Sequence, residues 1–409
     1  MPGWLAPRLY ASTLTLDKDT VLLNGGFDVD GRLNPGVWRL GTNGQVIGKG
    51  VHAEVATDVL SVARDSRGGT VLGGYFRNAN GESRTDVARL NADGSLDENW
   101  HPVLDGVVTA MATGPSGSVF ILGNFNNVDG VRRAGLAKLL ADGSLDRSWS
   151  PALGFIPVTM TLDANGDLYV GGNARSAQPD QPVHAVRHVS SATGAINTQW
   201  APTFVETADR PGVRVRRIAL QQDYLFVEGD FSRVNATDRN GLVKISTAGT
   251  GDVDSHWNPP VDGYIRDMDV DGVDGIYIGG VQYVDDEAYP FLGRFSTQGA
   301  GLPDMRWGVK LDPGGEVADV VVGADGSVYF NGSSGKAWSI PFAAGLAKFD
   351  RQGNLDTQWN PALVDARIVG TDSDGIYVGA ALMKFGDTAR NSVAKLPYNT
   401  DAIFRDGFQ

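Results

Sequence analysis

Cysteine is absent from this chain of 409 residues. Disulfides, thiolate nucleophiles and thiolate metal sites are therefore excluded. Histidine is scarce, and His52, His101, His184, His188 and His256 show no metal-ligand spacing. No run approaches eighteen apolar residues, so no transmembrane helix and no membrane insertion are expected. No charged-then-apolar leader opens the chain either. Basic residues are outnumbered, 35 Lys+Arg against 48 Asp+Glu, for a net charge of -13. Nucleic acid and anionic membrane surfaces require clustered Lys/Arg and are poor partners for such a chain.

What is present in quantity is glycine, 54 residues of it, much of it in Asp-Gly and Asn-Gly pairs. Such pairs serve the tight turns that short antiparallel strands need. A second regularity is longer. Trp100, Trp149, Trp200, Trp257, Trp307 and Trp359 stand 49 to 57 residues apart, with Trp4 at the head of the series and a slot near Val51 lacking its aromatic. A period of that size marks a repeat architecture in which each unit buries its face against the next.

One unit shows the pattern. Val108-Thr-Ala-Met-Ala-Thr leads to Ser118-Val-Phe-Ile-Leu-Gly, then to Gly135-Leu-Ala-Lys-Leu, then to Asp142-Gly-Ser-Leu-Asp-Arg-Ser-Trp149. Short apolar runs bounded by turn residues predict four strands, A to D. Strand C recurs eight times, from Val37-Trp-Arg-Leu to Val393-Ala-Lys-Leu, and strand B ends eight times in a glycine pair or its remnant. Trp4-Leu-Ala-Pro7 matches the strand D signature of Trp200-Ala-Pro202, whereas the last unit has a poor strand D of its own. The N-terminus is thus expected to lend the outer strand of the last blade, closing a ring and removing an exposed sheet edge. The prediction is an all-β, eight-bladed β-propeller of four-stranded antiparallel blades, with seven blades the alternative. Residues 1–396 form one domain and 397–409 a C-terminal tail.

The run from Gly123 to Trp149, Gly-Asn-Phe-x-x-Val-Asp-Gly-x-x-Arg-x-Gly-Leu-Ala-Lys-Leu-x-Ala-Asp-Gly-Ser-Leu-Asp-x-x-Trp, resembles the Delta-60 repeat of bacterial secreted and surface proteins. The resemblance covers about residues 4 to 396. It implies a propeller and an extracellular or cell-surface location (periplasmic possible), and it carries no catalytic signature. Asp401-Ala-Ile-Phe-Arg-Asp-Gly-Phe-Gln409 is similar to a short tail that ends many exported proteins of some Gram-negative bacteria.

The repeated residues are read as structural. Each tryptophan is large enough to fill the space between neighbouring blades. Arg84, Arg133, Arg239 and Arg390, three residues before strand C, are expected to pair with Asp97, Asp146, Asp254, Asp304 and Asp356, three before the tryptophan. Function is placed instead on the B–C and D–A connections, which vary most between residues 174 and 344. There Trp338 breaks the tryptophan period, and with Tyr283 and Tyr289 it forms the candidate loop-face site. On strand A the column Ser12, Ser61, Ala110, Thr159, Arg217, Asp267, Asp319, Arg367 approaches the central channel. Arg217, Asp267, Asp319 and Arg367 in it either pair between blades or hold a polar or ionic ligand. The turn carrying Asp269, Asp271 and Asp274 is the candidate metal site, with calcium the cation considered and no other cofactor implied. It lacks the twelfth-position glutamate of a calcium loop.

These features favour a non-catalytic binding module engaging a protein or a glycan. The alternative is a propeller hydrolase or lyase using carboxylates such as Asp267 and Asp319. A quinone-dependent dehydrogenase ranks last, since its docking spacing differs by one residue.

Overall fold

The computed structural model describes the backbone over most of residues 11–397, and side chains chiefly between 69 and 357; residues 1–10, 398–409 and several short connections lie outside the description. Trp4, on which strand donation depends, is among the residues outside it.

The described elements are strands, with one 3-10 turn at Pro115–Gly117. They group into successive antiparallel meanders, named here by unit. Strands A, B and C of unit 3 are Val107–Thr113, Val119–Asn124 and Leu136–Leu139. In unit 4 they are Ile156–Leu162, Leu168–Ala174 and Val186–Val189. Unit 5 has Val213–Gln221, Tyr224–Asp230 and Leu242–Ser246. Unit 6 has Tyr264–Val270, Gly275–Val284 and Glu287–Ser296, and unit 7 Val317–Val322, Val328–Gly332 and Leu346–Phe349. Units 1, 2 and 8 begin at Ala11, Asp58 and Arg367. Strand A of unit 1 lies against the strands Arg367–Thr371 and Gly375–Gly379.

Strand D is the main departure from expectation. Val46–His52 in unit 1 is a full fourth strand. In units 2 to 7 the D segment makes a single bridge to strand C, as in Leu139↔Leu145 and Ile245↔Val253. The aspartate three before the tryptophan ends the pairing. Asp146 Oδ1 accepts the N–H groups of Ser148 and Trp149, and Asp254 Oδ1 those of His256 and Trp257. Such a turn satisfies the backbone locally and takes the chain off the sheet.

That turn delivers the tryptophan into the seam between units. Trp149, Trp200 and Trp257 are fully buried. Their Nε1 groups donate to the carbonyls of Ser190, Ser246 and Ser296, each in the following unit, at 2.9, 2.8 and 2.7 Å. The indoles cover the C–D turn of that unit, where a Cβ on Gly301 would strike Trp257 and one on Gly353 would strike Trp307. The packing role expected of the tryptophans is thus what the side chains perform.

The repeated charges pair differently from the expectation. Arg133 Nη2 donates to the backbone carbonyls of Asp146 and Arg147, and Arg239 Nη2 to those of Asp254 and Ser255. The carboxylates meet the strand C cation instead, Lys138–Asp146 at 3.4 Å and Lys244–Asp254 at 2.9 Å. The arginine clamps the turn's carbonyls because the carboxylate is already committed to N–H groups and a closer cation.

Strand A carries a β-bulge at one place in units 2 to 7, the extra residue being Leu60, Thr109, Val158, Arg216, Arg266 or Ala318. The bulge explains the strand B glycines. A Cβ on Gly123, Gly172, Gly229, Gly280 or Gly332 would collide with a carbonyl oxygen in strand A or, for Gly332, of Glu316 just before it. Bulges re-aim side chains, and here they tilt two consecutive arginines toward the end of the strand where the D–A and B–C connections lie.

Candidate functional site

Strand A of unit 5 reads Val213-Arg-Val-Arg-Arg-Ile, three arginines in six positions. Arg216 takes the bulge position and Arg217 follows it. In unit 6 the equivalent pair is Arg266 and Asp267. The bulge breaks strict alternation, so consecutive side chains both reach the inner surface. Arg210 enters from the D–A connection of unit 5. Together Arg210, Arg216, Arg217 and Arg266 line a cavity of about 470 Å³, with Tyr264 and Tyr283 at its edge and Glu316 opposite.

Carboxylates behind the lining orient these guanidinium groups. Arg216 donates to Glu228 at 2.6 Å and contacts Asp230 at 2.7 Å. Glu228 stands where units 2, 4 and 6 have a glycine, and it is 2% exposed. Burial pushes its carboxyl up from the ordinary range, and Arg216 pulls the other way. A buried ion pair contributes little stability over an apolar pair of the same volume, but it fixes the orientation of its members. Arg217 Nε donates to Asp267 Oδ1 at 2.5 Å across the seam between units 5 and 6. Arg266 donates to Glu316 at 2.7 Å across the next seam. Arg210 Nη2 donates to the Tyr264 hydroxyl at 3.1 Å, its guanidinium 5.5 Å from that ring's centre. Tyr264 and Tyr283 meet edge to face, centroids 6.2 Å apart, and both remain exposed.

Of the expected channel residues, Arg217 and Asp267 are therefore brought together as an ion pair between units. Asp319 stands opposite Asn331 in strand A of unit 7, and Arg367 opposite Gly379 in strand A of unit 8. Their side chains lie outside the described residues.

The loop-face group is divided. Tyr283 lines the cavity. Tyr289 lies opposite Gln282 in the same hairpin and hence on its other face, where its hydroxyl donates to Glu287 at 2.9 Å. Trp338 falls outside the described residues. The B–C segment of unit 6, expected as an irregular loop, is a continuous hairpin. Its two-residue turn is Asp285-Asp286, both at positive φ, the conformation that matches the twist of paired strands.

The metal candidates do not converge. Asp269 Oδ2 accepts Val322 N–H at 2.9 Å in the next unit. Asp271 caps its own turn through Val273, Asp274 and Gly275, and both Asp271 and Asp274 receive Arg294 Nη2, at 2.9 and 2.5 Å. A cation supplied by strand C already neutralises that turn. Among the described residues, the group whose ligand atoms lie within 4.8 Å of one another is Asp163, Asp167 and His188. Read from the sequence, Asp163 and Asp167 belong to a hairpin turn, and His188, on strand C where other units carry Lys or Arg, has no visible link to it; only the fold brings the three together. Sequence reasoning also passed over Arg210, Arg216, Tyr264 and Arg266. Two arginines at the bulge position of consecutive units were the available signal, masked because the bulge itself is not legible in a period-two pattern.

Residues 68–99 and 114–148 match the family model described as a domain of unknown function (DUF5122) beta-propeller. Fold and match together define the class, an all-β, β-propeller domain built from repeats. Among solved structures the chain is similar to a catalytically inactive variant of virginiamycin B lyase from Staphylococcus aureus with quinupristin. That likeness has a TM-score of 0.46 and 14% identity, over 81% of this chain and 95% of that one. It is also similar to the dihydro-heme d1 dehydrogenase NirN (TM-score 0.43, 12% identity, 98% of this chain and 78% of that one). A third is Sqt1 from Chaetomium thermophilum (TM-score 0.46, 11% identity, 93% of each chain). No curated protein matches the chain.

Proposed function

We propose that this chain is a non-catalytic binding module whose B–C/D–A face takes a protein or a glycan. The observation that carries the reading is the arginine- and tyrosine-lined cavity on that face, built from units 5, 6 and 7. Concave sites with a few oriented polar groups and exposed aromatics are the usual form of ligand pockets. The acid–base alternative needs a carboxylate free toward the cavity. Asp267 has both oxygens engaged, Oδ1 by Arg217 and Oδ2 by Val320 N–H at 2.9 Å.

The scaffold of this proposal is one domain of eight blades over residues 1–396, of the Delta-60 repeat type and exported to the cell surface or beyond, with a C-terminal tail. Contact between strand A of unit 1 and unit 8 supports the ring. An array of glycans and a pull-down from native surface extract, each with wild type and Tyr283→Ala, tests the module. Retention lost in the variant with no turnover of the retained ligand is the expected result. Turnover of that ligand, or retention indifferent to this face, would overturn it.

A further inference from the structure

The cavity's charge arrangement says more than that something binds. In a chain of net charge -13, four guanidinium groups converge on one opening. Three of them belong to consecutive inner strands. At the bulge position units 2, 3, 4 and 7 carry Leu60, Thr109, Val158 and Ala318, so the arginines of units 5 and 6 are not demanded by the fold.

Their partners sit behind them. Glu228 and Asp230 are 2% and 8% exposed, while the side chains of Arg216 and Arg217 are 36% and 37% exposed. Arg217 spends its Nε on Asp267, and among the described residues its Nη1 and Nη2 meet no acceptor. Two parallel N–H groups on one edge of a guanidinium fit a carboxylate in a bidentate fork. In the same lining the Tyr264–Tyr283 pair offers exposed ring surface, and its hydroxyls offer hydrogen-bonding groups. A ligand matching all three carries a carboxylate, a flat or semi-flat ring face and several hydroxyl donors. A volume of about 470 Å³ admits one or two sugar rings.

We propose that the ligand is an acidic saccharide, its carboxylate on the open edge of Arg217 and its ring against Tyr283. Arg216 and Arg266, held in place by Glu228, Asp230 and Glu316, line the opening around it. Glu228 acts as a positioning residue that holds the Arg216 plane. This deepens, and rests on, the binding-module reading.

The test uses the full chain on an array of uronate- and sialate-bearing oligosaccharides, each paired with its carboxyl-reduced form. The best acidic saccharide is then titrated calorimetrically against wild type, Arg217→Gln and Tyr283→Ala, with melting temperatures recorded for all three. Expected are retention of an acidic member and loss of it on carboxyl reduction. Arg217→Gln should weaken it at least ten-fold, Tyr283→Ala several-fold with the melting temperature unchanged, and added salt should weaken it further. If Arg217→Gln unfolds, Tyr283→Ala and the carboxyl-reduced pairs still decide. Capture of neutral saccharides only, of an acidic peptide in place of any saccharide, or equal affinity for both forms of a pair overturns the inference and leaves the module standing. Retention of no glycan, protein or peptide overturns both.

Discussion

Trp257 offers the most direct test of how the units are held together. Its indole is fully buried, lies edge to face on Phe226 at 5.1 Å, and donates Nε1–H to the Ser296 carbonyl of the next unit at 2.7 Å. Trp257→Phe keeps the aromatic contact. It removes roughly 40 Å² of apolar surface, worth about 1 kcal/mol at 25 cal/mol per Å². It also leaves the half-buried Ser296 carbonyl without this donor, which costs a further ~1–3 kcal/mol. The expected loss is therefore about 3 kcal/mol, and Trp257→Ala should approach ~5 kcal/mol because a cavity is added. Guanidinium denaturation followed by tryptophan fluorescence and by far-ultraviolet circular dichroism gives both values. A Trp257→Phe chain within about 0.5 kcal/mol of wild type would refute the claim that the indole N–H ties one unit to the next.

Other consequences are as specific. Burial pushes Asp269 up from 3.8 to about 6, so the folded chain holds that proton more tightly than the unfolded chain between those values. Stability should then fall by about 2 kcal/mol as pH rises from about 4 to 6, and Asp269→Asn should flatten that part of the profile in thermal melts. Gly123→Ala, whose methyl would meet the Val107 carbonyl, should cost about 3 kcal/mol or prevent folding, read from the denaturation midpoint. Arg239→Gln should cost ~2 kcal/mol through two lost charge-assisted bonds to carbonyls. Asp254→Asn, which keeps an acceptor for the turn, should cost less in the same assay. Glu228→Gln should leave folding intact, since the amide still accepts from Arg216, while saccharide affinity falls several-fold by titration.

Much of the scaffold could be read in advance because its determinants are local and repeated. The period of the tryptophans, the Lys or Arg of strand C and the Asp-Gly turns each report one unit's own contacts with the next. Where reading failed, two elements competed for one group. Asp146 and Asp254 were assigned to Arg133 and Arg239, but a carboxylate three residues before a tryptophan is within reach of two N–H groups and of the strand C lysine. The arginine is left with the carbonyls. Strand D was overextended for the same reason, since the turn made by that aspartate leaves the sheet after one bridge. Asp271 and Asp274 resemble cation ligands in the sequence, but the cation they meet is Arg294, 23 and 20 residues further along.

The amino-acid order alone determined the unit, its length, its turns and which residues fill the seams, because those rest on hydrophobic period and backbone preferences acting within about fifty positions. The tertiary structure decided the site. Arg210, Arg217, Tyr264, Tyr283 and Glu316 span a hundred residues and share no motif, and they meet only where a bulge turns each inner strand toward the same opening. A bulge adds one residue without changing composition, so its effect on where side chains point is decided by the pairing of strands rather than by the string of letters.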